Sequence, residues 1–215
     1  MPLLWSIEVK AFVKGEILEL IFWSGLLIMA NQKLLNLASW LPRSRANGPG
    51  TRMVLWVQGC PFRCSSCQNS DYLQFKLNQV VTVDRVWEVF AQQPDLAGMS
   101  FSGGEPFAQA VALGELAMRV QGMGKTIVCW SGYGLEQLER GDIVGAREFL
   151  QHIDLLIDGL FVESLAGNEV LRGSKNQRLH FLSGHISEED LVDIPRQEFV
   201  VNDESITYTG FPVDL

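Results

Sequence analysis

The sequence predicts an α/β fold in which crossover helices cover a mostly parallel sheet, and three observations carry that prediction. Short β-branched or aromatic runs alternate with stretches of helical periodicity. Polar, glycine-rich segments stand where each predicted strand ends, the edge at which parallel α/β folds bind ligands. With 215 residues, 47% of them hydrophobic and 20% charged, the chain suffices for one domain with a real core and falls short of two full ones.

Taken in order, residues 1–44 read as an N-terminal extension. Its apolar run, 20–30 (LIFWSGLLIMA), is well short of the roughly 20 residues needed to span a bilayer. A signal peptide fits poorly, because Glu8 and Glu16 offset Lys10 and Lys14 and no small-x-small cleavage site follows. Residues 1–28 read either as a helix packed on the body or a partner, or as a stretch upstream of a start at Met29. The turn signal Asn47-Gly48-Pro49-Gly50 closes this region.

Residues 53–58 (MVLWVQ) then predict a buried strand, followed directly by a cysteine-bearing loop. Thr82 or Asp84 caps a predicted helix over 85–93. A short strand at 99–101 runs into Gly103-Gly104-Glu105-Pro106, and 108–120 has helical spacing. The strand 126–130 ends in Ser131-Gly132-Tyr133-Gly134, and two helices follow, at 135–140 and near 147–152. The strand 153–157 ends in Asp158-Gly159. In the tail, 183–215, the runs 198–201 and 205–209 flank Asn202-Asp203-Glu204 and predict a hairpin.

A net charge of −8 advertises no basic face, so a nucleic-acid partner is disfavoured. Three of the four cysteines, Cys60, Cys64 and Cys67, fall within eight residues at C-x3-C-x2-C spacing. Disulfide frameworks belong to small secreted domains with more cysteines spread along them, so this clustering reads as metal ligation in a reducing compartment. Three thiolates on one loop can hold three corners of a four-iron cubane. Cys129 lies far off in an apolar strand and reads as a small buried hydrophobe; without a fourth ligand one iron stays open to substrate. A structural zinc site recruiting Cys129 is the alternative, but zinc knuckles favour paired cysteine arms and only one arm is present.

This spacing is the signature of the radical S-adenosylmethionine superfamily, and the chain resembles one branch of it, the activating proteins of anaerobic ribonucleoside-triphosphate reductase. The resemblance rests on 47–52 (NGPGTR), 59–69, 100–106 (SFSGGEP), 130–133 (WSGY), 156–161 (LIDGLF) and 172–178 (RGSKNQR), in the family's order, over residues 45–182. It implies a partial (β/α) barrel. It also implies a [4Fe–4S] cluster on the three cysteines and S-adenosylmethionine bound to the open iron.

Read as residues, Gly103 and Gly104 let a ligand approach the backbone, and Glu105 or that backbone can face an ammonium group. The resemblance assigns this motif to the methionyl amino group; the plainer reading is a strand-to-helix turn with Pro106 in the first helical turn. Ser131 and Tyr133 are placed to meet ribose or adenine, or to form a packed turn. Asp158 can orient ligand hydroxyls or cap a turn, and Arg172 can hold a carboxylate or dock a partner. Ser66 stands where many superfamily members put an adenine-touching aromatic. His180 and His185 read as ordinary polar positions. Gly124-Lys125-Thr126 is no phosphate loop, since it lacks the earlier glycine and precedes a strand.

The resemblance therefore implies a cytoplasmic enzyme, reduced by flavodoxin or ferredoxin. It would install a glycyl radical on the large subunit of the reductase, without nucleic acid or membrane. A radical enzyme with another small-molecule or peptide target, and a non-catalytic iron–sulfur or zinc module, are the rivals.

Overall fold

The computed structural model describes residues 6–13, 16–23, 26–29, 32–201 and 206–211. The centre of its sheet is four parallel strands, β5 (Arg52–Val57), β7 (Gly98–Gly103), β8 (Thr126–Ser131) and β9 (Leu155–Asp158), hydrogen-bonded in that order. On one side β4 (Gln32–Ser44) joins β5 antiparallel and also pairs with β6 (Gln79–Thr82); on the other, β10 (Arg178–Phe181) joins β9 antiparallel. The sheet is thus mixed, parallel only at its centre. Its strand order is an open path, not closed into a barrel.

Beyond β4 the sheet continues through β1 (Ser6–Val13), β2 (Glu16–Trp23) and β3 (Leu26–Met29) as an antiparallel meander. The helix expected within 1–28 is therefore replaced by strands; β1 (SIEVKAFV) alternates polar and apolar residues, while β2 (EILELIFW) and β3 (LLIM) are rich in apolar and aromatic residues that suit a strand as well as a helix. Residues 1–5, 14–15, 24–25 and 30–31 of that region lie outside the described residues. β11 (Gln197–Val201) and β12 (Ile206–Gly210) form the expected C-terminal hairpin as a separate two-stranded sheet.

The crossovers α1 (Val83–Ala91), α2 (Ala110–Gly122), α3 (Leu135–Arg140) and α4 (Ala146–Leu150) fall within two residues of their predicted starts. Thr82 caps α1, its hydroxyl accepting the Arg85 N–H at 3.0 Å. Met53, Leu55, Val57, Met99, Phe101, Ile127, Cys129 and Leu156 point to the helices and join Phe107, Leu113, Leu116 and Phe149 in the main core. Val128, Leu155 and Ile157 point the other way, into a smaller core with Leu171, Ile186 and Leu191. Cys129 is completely buried on the helix face, as expected of a small hydrophobe.

Arg52 is fully buried between these strands. All five of its N–H donors find neutral acceptors: Nε donates to Ser100 Oγ at 2.9 Å. Nη1 donates to Pro49 O at 3.0 Å and Thr126 Oγ1 at 2.9 Å, and Nη2 to Met99 O at 2.9 Å and Thr126 O at 2.5 Å. Burial, opposed by Asp154, pushes its guanidinium down to about 9. Ser100 Oγ in turn donates to Asn47 O at 2.6 Å. The 47–52 motif is accordingly a polar lock joining the starts of β5, β7 and β8.

Candidate active site

The carboxyl ends of β5, β7, β8 and β9 open onto one cavity of about 430 Å³. Cys60, Cys64 and Cys67 line it together with Gly103, Gly104, Glu105, Ser131 and Gly132, the segments predicted from strand ends.

The cysteine loop leaves β5 along a path set chiefly by main-chain hydrogen bonds. Gly59 N–H donates to Tyr72 O at 2.8 Å, Cys60 N–H to Leu73 O at 3.0 Å, and Glu105 N–H to Gly59 O at 2.9 Å. A Cβ on Gly104 would lie 2.2 Å from Gly59 O, and one on Gly103, whose φ is +105°, would lie 2.4 Å from Val57 N. The two glycines are required because the end of β5 and the start of the cysteine loop pass this close, in addition to their exposure to the cavity.

All three thiols are free. Burial pushes Cys60 up to about 11, against the opposing Phe62 N–H directed at its sulfur. Burial likewise raises Cys67, opposed by the Asn69 N–H. Asn69 Nδ2 donates to Gly103 O at 3.1 Å, tying the end of the loop to β7. Among the described residues no group of three or more His, Cys, Asp or Glu side chains converges closely enough to hold a single metal ion. A cubane takes its cysteine ligands on different irons. Three free thiols on one loop, two with amide donors at sulfur and all facing one cavity, fit that group.

Glu105 is buried and turned into the protein. Its Oε1 accepts Ser131 Oγ–H at 2.9 Å and Phe107 N–H at 3.0 Å, and its Oε2 accepts Gly132 N–H at 2.8 Å. Burial pushes its carboxyl up to about 7 against these three donors. Glu105 therefore staples the end of β7 to the end of β8 while forming cavity wall. Ser131 is held the same way, its oxygen also accepting Tyr133 N–H at 3.1 Å.

The remaining expected residues stand beside the cavity instead of lining it. Tyr133 packs edge-on against Phe62 of the cysteine loop, with ring centroids 4.7 Å apart. Gly132 must lack a side chain because a Cβ would meet the same Phe62 ring at 2.5 Å. Asp158, fully buried, accepts Arg178 Nε–H at 2.9 Å, Arg178 Nη2–H at 2.5 Å and the Leu135 N–H opening α3 at 2.6 Å, and His180 Nε2 lies 3.1 Å away. It braces β9, β10 and α3. Arg172 donates to Gln177 O at 3.2 Å, and it is Gly173 and Gln177 that reach the cavity. Ser66, with φ +53°, donates to Glu163 Oε1 at 2.6 Å while Ser65 donates to Oε2 at 3.0 Å. His185 Nδ1 lies 3.0 Å from Asp154 Oδ1, a local polar contact. Gly124 and Lys125 form the tight turn before β8, with Lys125 Nζ donating to Pro94 O at 2.7 Å.

Sequence reasoning missed Glu163, Asn69 and the cavity wall made by residues 207–211. Asn69 sits inside the cysteine segment and could have been weighed there; Glu163 and the hairpin carry no local signal.

Residues 46–180 match the family model described as a 4Fe-4S single cluster domain. A scaffold for one four-iron cluster is thus the class that the thiol loop and the match define together. The anaerobic ribonucleoside-triphosphate reductase-activating protein of Vibrio cholerae is 32% identical over 155 residues, 68% of this chain and 97% of the relative. Those of phage T4 and Escherichia coli K12 are each 31% identical, over 144 and 157 residues, covering 88% and 99% of the relatives and 64% and 69% of this chain. The chain belongs to the anaerobic ribonucleoside-triphosphate reductase-activating protein family.

Proposed function

We propose that this chain activates an anaerobic ribonucleoside-triphosphate reductase by radical S-adenosylmethionine chemistry, with Cys60, Cys64 and Cys67 holding a [4Fe–4S] cluster. The observation that carries the reading is the convergence of the three free thiols and the Gly103–Gly104–Glu105 segment on one cavity. Cys60, Cys64 and Cys67 would hold the cluster, which would supply one-electron reduction of S-adenosylmethionine, with flavodoxin or ferredoxin as the electron source and a glycine Cα of the reductase large subunit as the hydrogen donor.

The chain's own part is positioning. Gly103 and Gly104 keep side chains out of the space beside the thiols, so that the main chain of this segment faces the cofactor's ammonium, and buried Glu105 holds the segment in place from behind. Ser131 and Gly132 hold that carboxylate in place, and Asp158, through Arg178 and α3, keeps the neighbouring strand end rigid. Phe62, Trp130 and Phe161 line the cavity with apolar surface that excludes water. The open sheet is read as a partial (β/α) barrel, with 45–182 as the radical domain, 1–44 as an extension and 183–215 as a tail. Labile iron–sulfur chemistry places the enzyme in the reducing cytoplasm. A soluble partner protein is its target, with neither nucleic acid nor membrane involved; no helix among the described residues is long and apolar enough to cross a bilayer.

Anaerobic reconstitution with iron and sulfide tests this. A cubane absorption that responds to S-adenosylmethionine, with 5′-deoxyadenosine formed on reduction, is the expected result. Stable zinc binding without 5′-deoxyadenosine would end the proposal.

A further inference from the structure

The C-terminal hairpin has its polarity reversed. In β11 and β12 the pairs Phe199↔Tyr208 and Val201↔Ile206 share one face, while Glu198↔Thr209 and Val200↔Thr207 share the other. The polar pair is the one turned inward. Glu198 Oε2 accepts Ser44 Oγ–H at 2.7 Å and Arg45 N–H at 2.9 Å, and Thr209 Oγ1 accepts Asn47 Nδ2–H at 2.8 Å. The apolar set faces out, with Phe199 63%, Val201 69% and Ile206 70% exposed. A two-stranded sheet with one face on the body normally shows polar residues to water, so this face is built to be covered.

Its position says by what. Residues 207–211 all line the cavity that holds the thiols. A strand shows only alternate side chains to either side, so five consecutive lining residues mean that the edge of β12 faces the cavity. Its other edge is paired with β11, and among the described residues no strand pairs with its cavity side, so that edge can take a further strand. A cavity of about 430 Å³ suits one small-molecule ligand. A protein substrate must therefore dock on the rim and send in only an extended segment.

We propose that the outer face of this hairpin is the docking surface for the reductase, whose glycine-bearing segment enters as a strand along the free edge of β12. This rests on the activase reading above. It predicts that the partner contributes an apolar patch over Phe199, Val201 and Ile206.

The test uses the full cluster-loaded chain and the purified anaerobic reductase of the same organism. Phe199→Ser combined with Ile206→Ser should weaken reductase binding at least about tenfold, from the apolar area removed. Cluster absorbance and partner-free formation of 5′-deoxyadenosine should stay unchanged. Val201→Thr combined with Ile206→Thr, which retains strand propensity, gives the same reading should the serine pair lose cluster. Reductase binding within twofold of the parent overturns the proposal. So does a change confined to self-association, which would assign the face to a second copy of the chain. A parent that forms no 5′-deoxyadenosine sinks the activase reading instead, and the binding measurement still stands by itself.

Discussion

The two faces of the central sheet are made by the same strands and behave as different materials. On the helix side, alternate residues such as Leu55, Phe101, Ile127 and Leu156 meet α1, α2 and α4 in apolar contact. On the other side the intervening residues are mixed: Val128, Leu155 and Ile157 join a smaller apolar core, while Ser100 bonds the Arg52 lock and Trp56, Ser102 and Trp130 line the cavity. Period-two alternation is what allows one strand to serve stability and chemistry at once. The helix face is apolar throughout its core, and on the other face the buried polar groups of the lock, Arg52 and Ser100, have their donors satisfied.

The sharpest break in this comparison uses one residue type on both faces. Cys60→Ala should abolish assembly of the cubane and lower radical formation by more than about 100-fold, since a thiolate ligand is lost outright. Cys129→Ala should leave iron and sulfide content unchanged and cost about 1–2 kcal/mol in denaturant unfolding, a small core truncation. Loss of cluster in Cys129→Ala would mean that the helix face takes part in ligation.

Arg52→Met probes the polar lock. It removes five donors and leaves Met99 O, Pro49 O and Thr126 O without them, with an expected loss of about 3–5 kcal/mol on urea unfolding. Unchanged stability would show that the lock contributes no more than its apolar isostere.

Asp158→Asn should cost less than Arg52→Met, about 1–3 kcal/mol near neutrality, because its main partner Arg178 is half exposed. Burial alone would raise the Asp158 carboxyl. The Arg178 hydrogen bonds, the Leu135 N–H and His180 outweigh it and hold the carboxyl below its ordinary 3.8. With the folded value lowered, the ionised form stabilises the fold above the unfolded value, and that contribution is lost as pH falls through the folded one. Parent and variant unfolding curves should therefore converge between pH 4 and the acid limit. A gap that persists in acid would refute the assignment.

The parts legible in the sequence share a physical trait: they are local. Thr82 announces α1 through its own hydroxyl, and residues 53–58 announce β5 through branched and aromatic side chains. C-x3-C-x2-C encodes a loop whose ligands lie within one short segment. What escaped is set by contacts distant along the chain. β4, with its Leu-rich Leu34, Leu35 and Leu37, reads equally as helix until β5 and β6 pair with it from two sides. β10 is only four residues long, and Arg178 takes its place from Asp158 and Glu136, twenty and forty-two residues earlier. Asp158 and Tyr133 were recognised as strand-end residues, yet whether such a side chain turns to the ligand or to its neighbours depends on Arg178 and Phe62. The purpose of the hairpin was equally hidden, because alternation alone does not say which face looks outward.

The approach of Gly59 and Val57 to Gly103 and Gly104 has a consequence for inheritance. The seat of the cysteine loop is made of peptide groups, and peptide groups are the same in every sequence. Neighbouring side chains can drift without moving it, so long as no methyl group appears at those two positions. The part of the site least visible as chemistry is then the part best insulated from mutation around it.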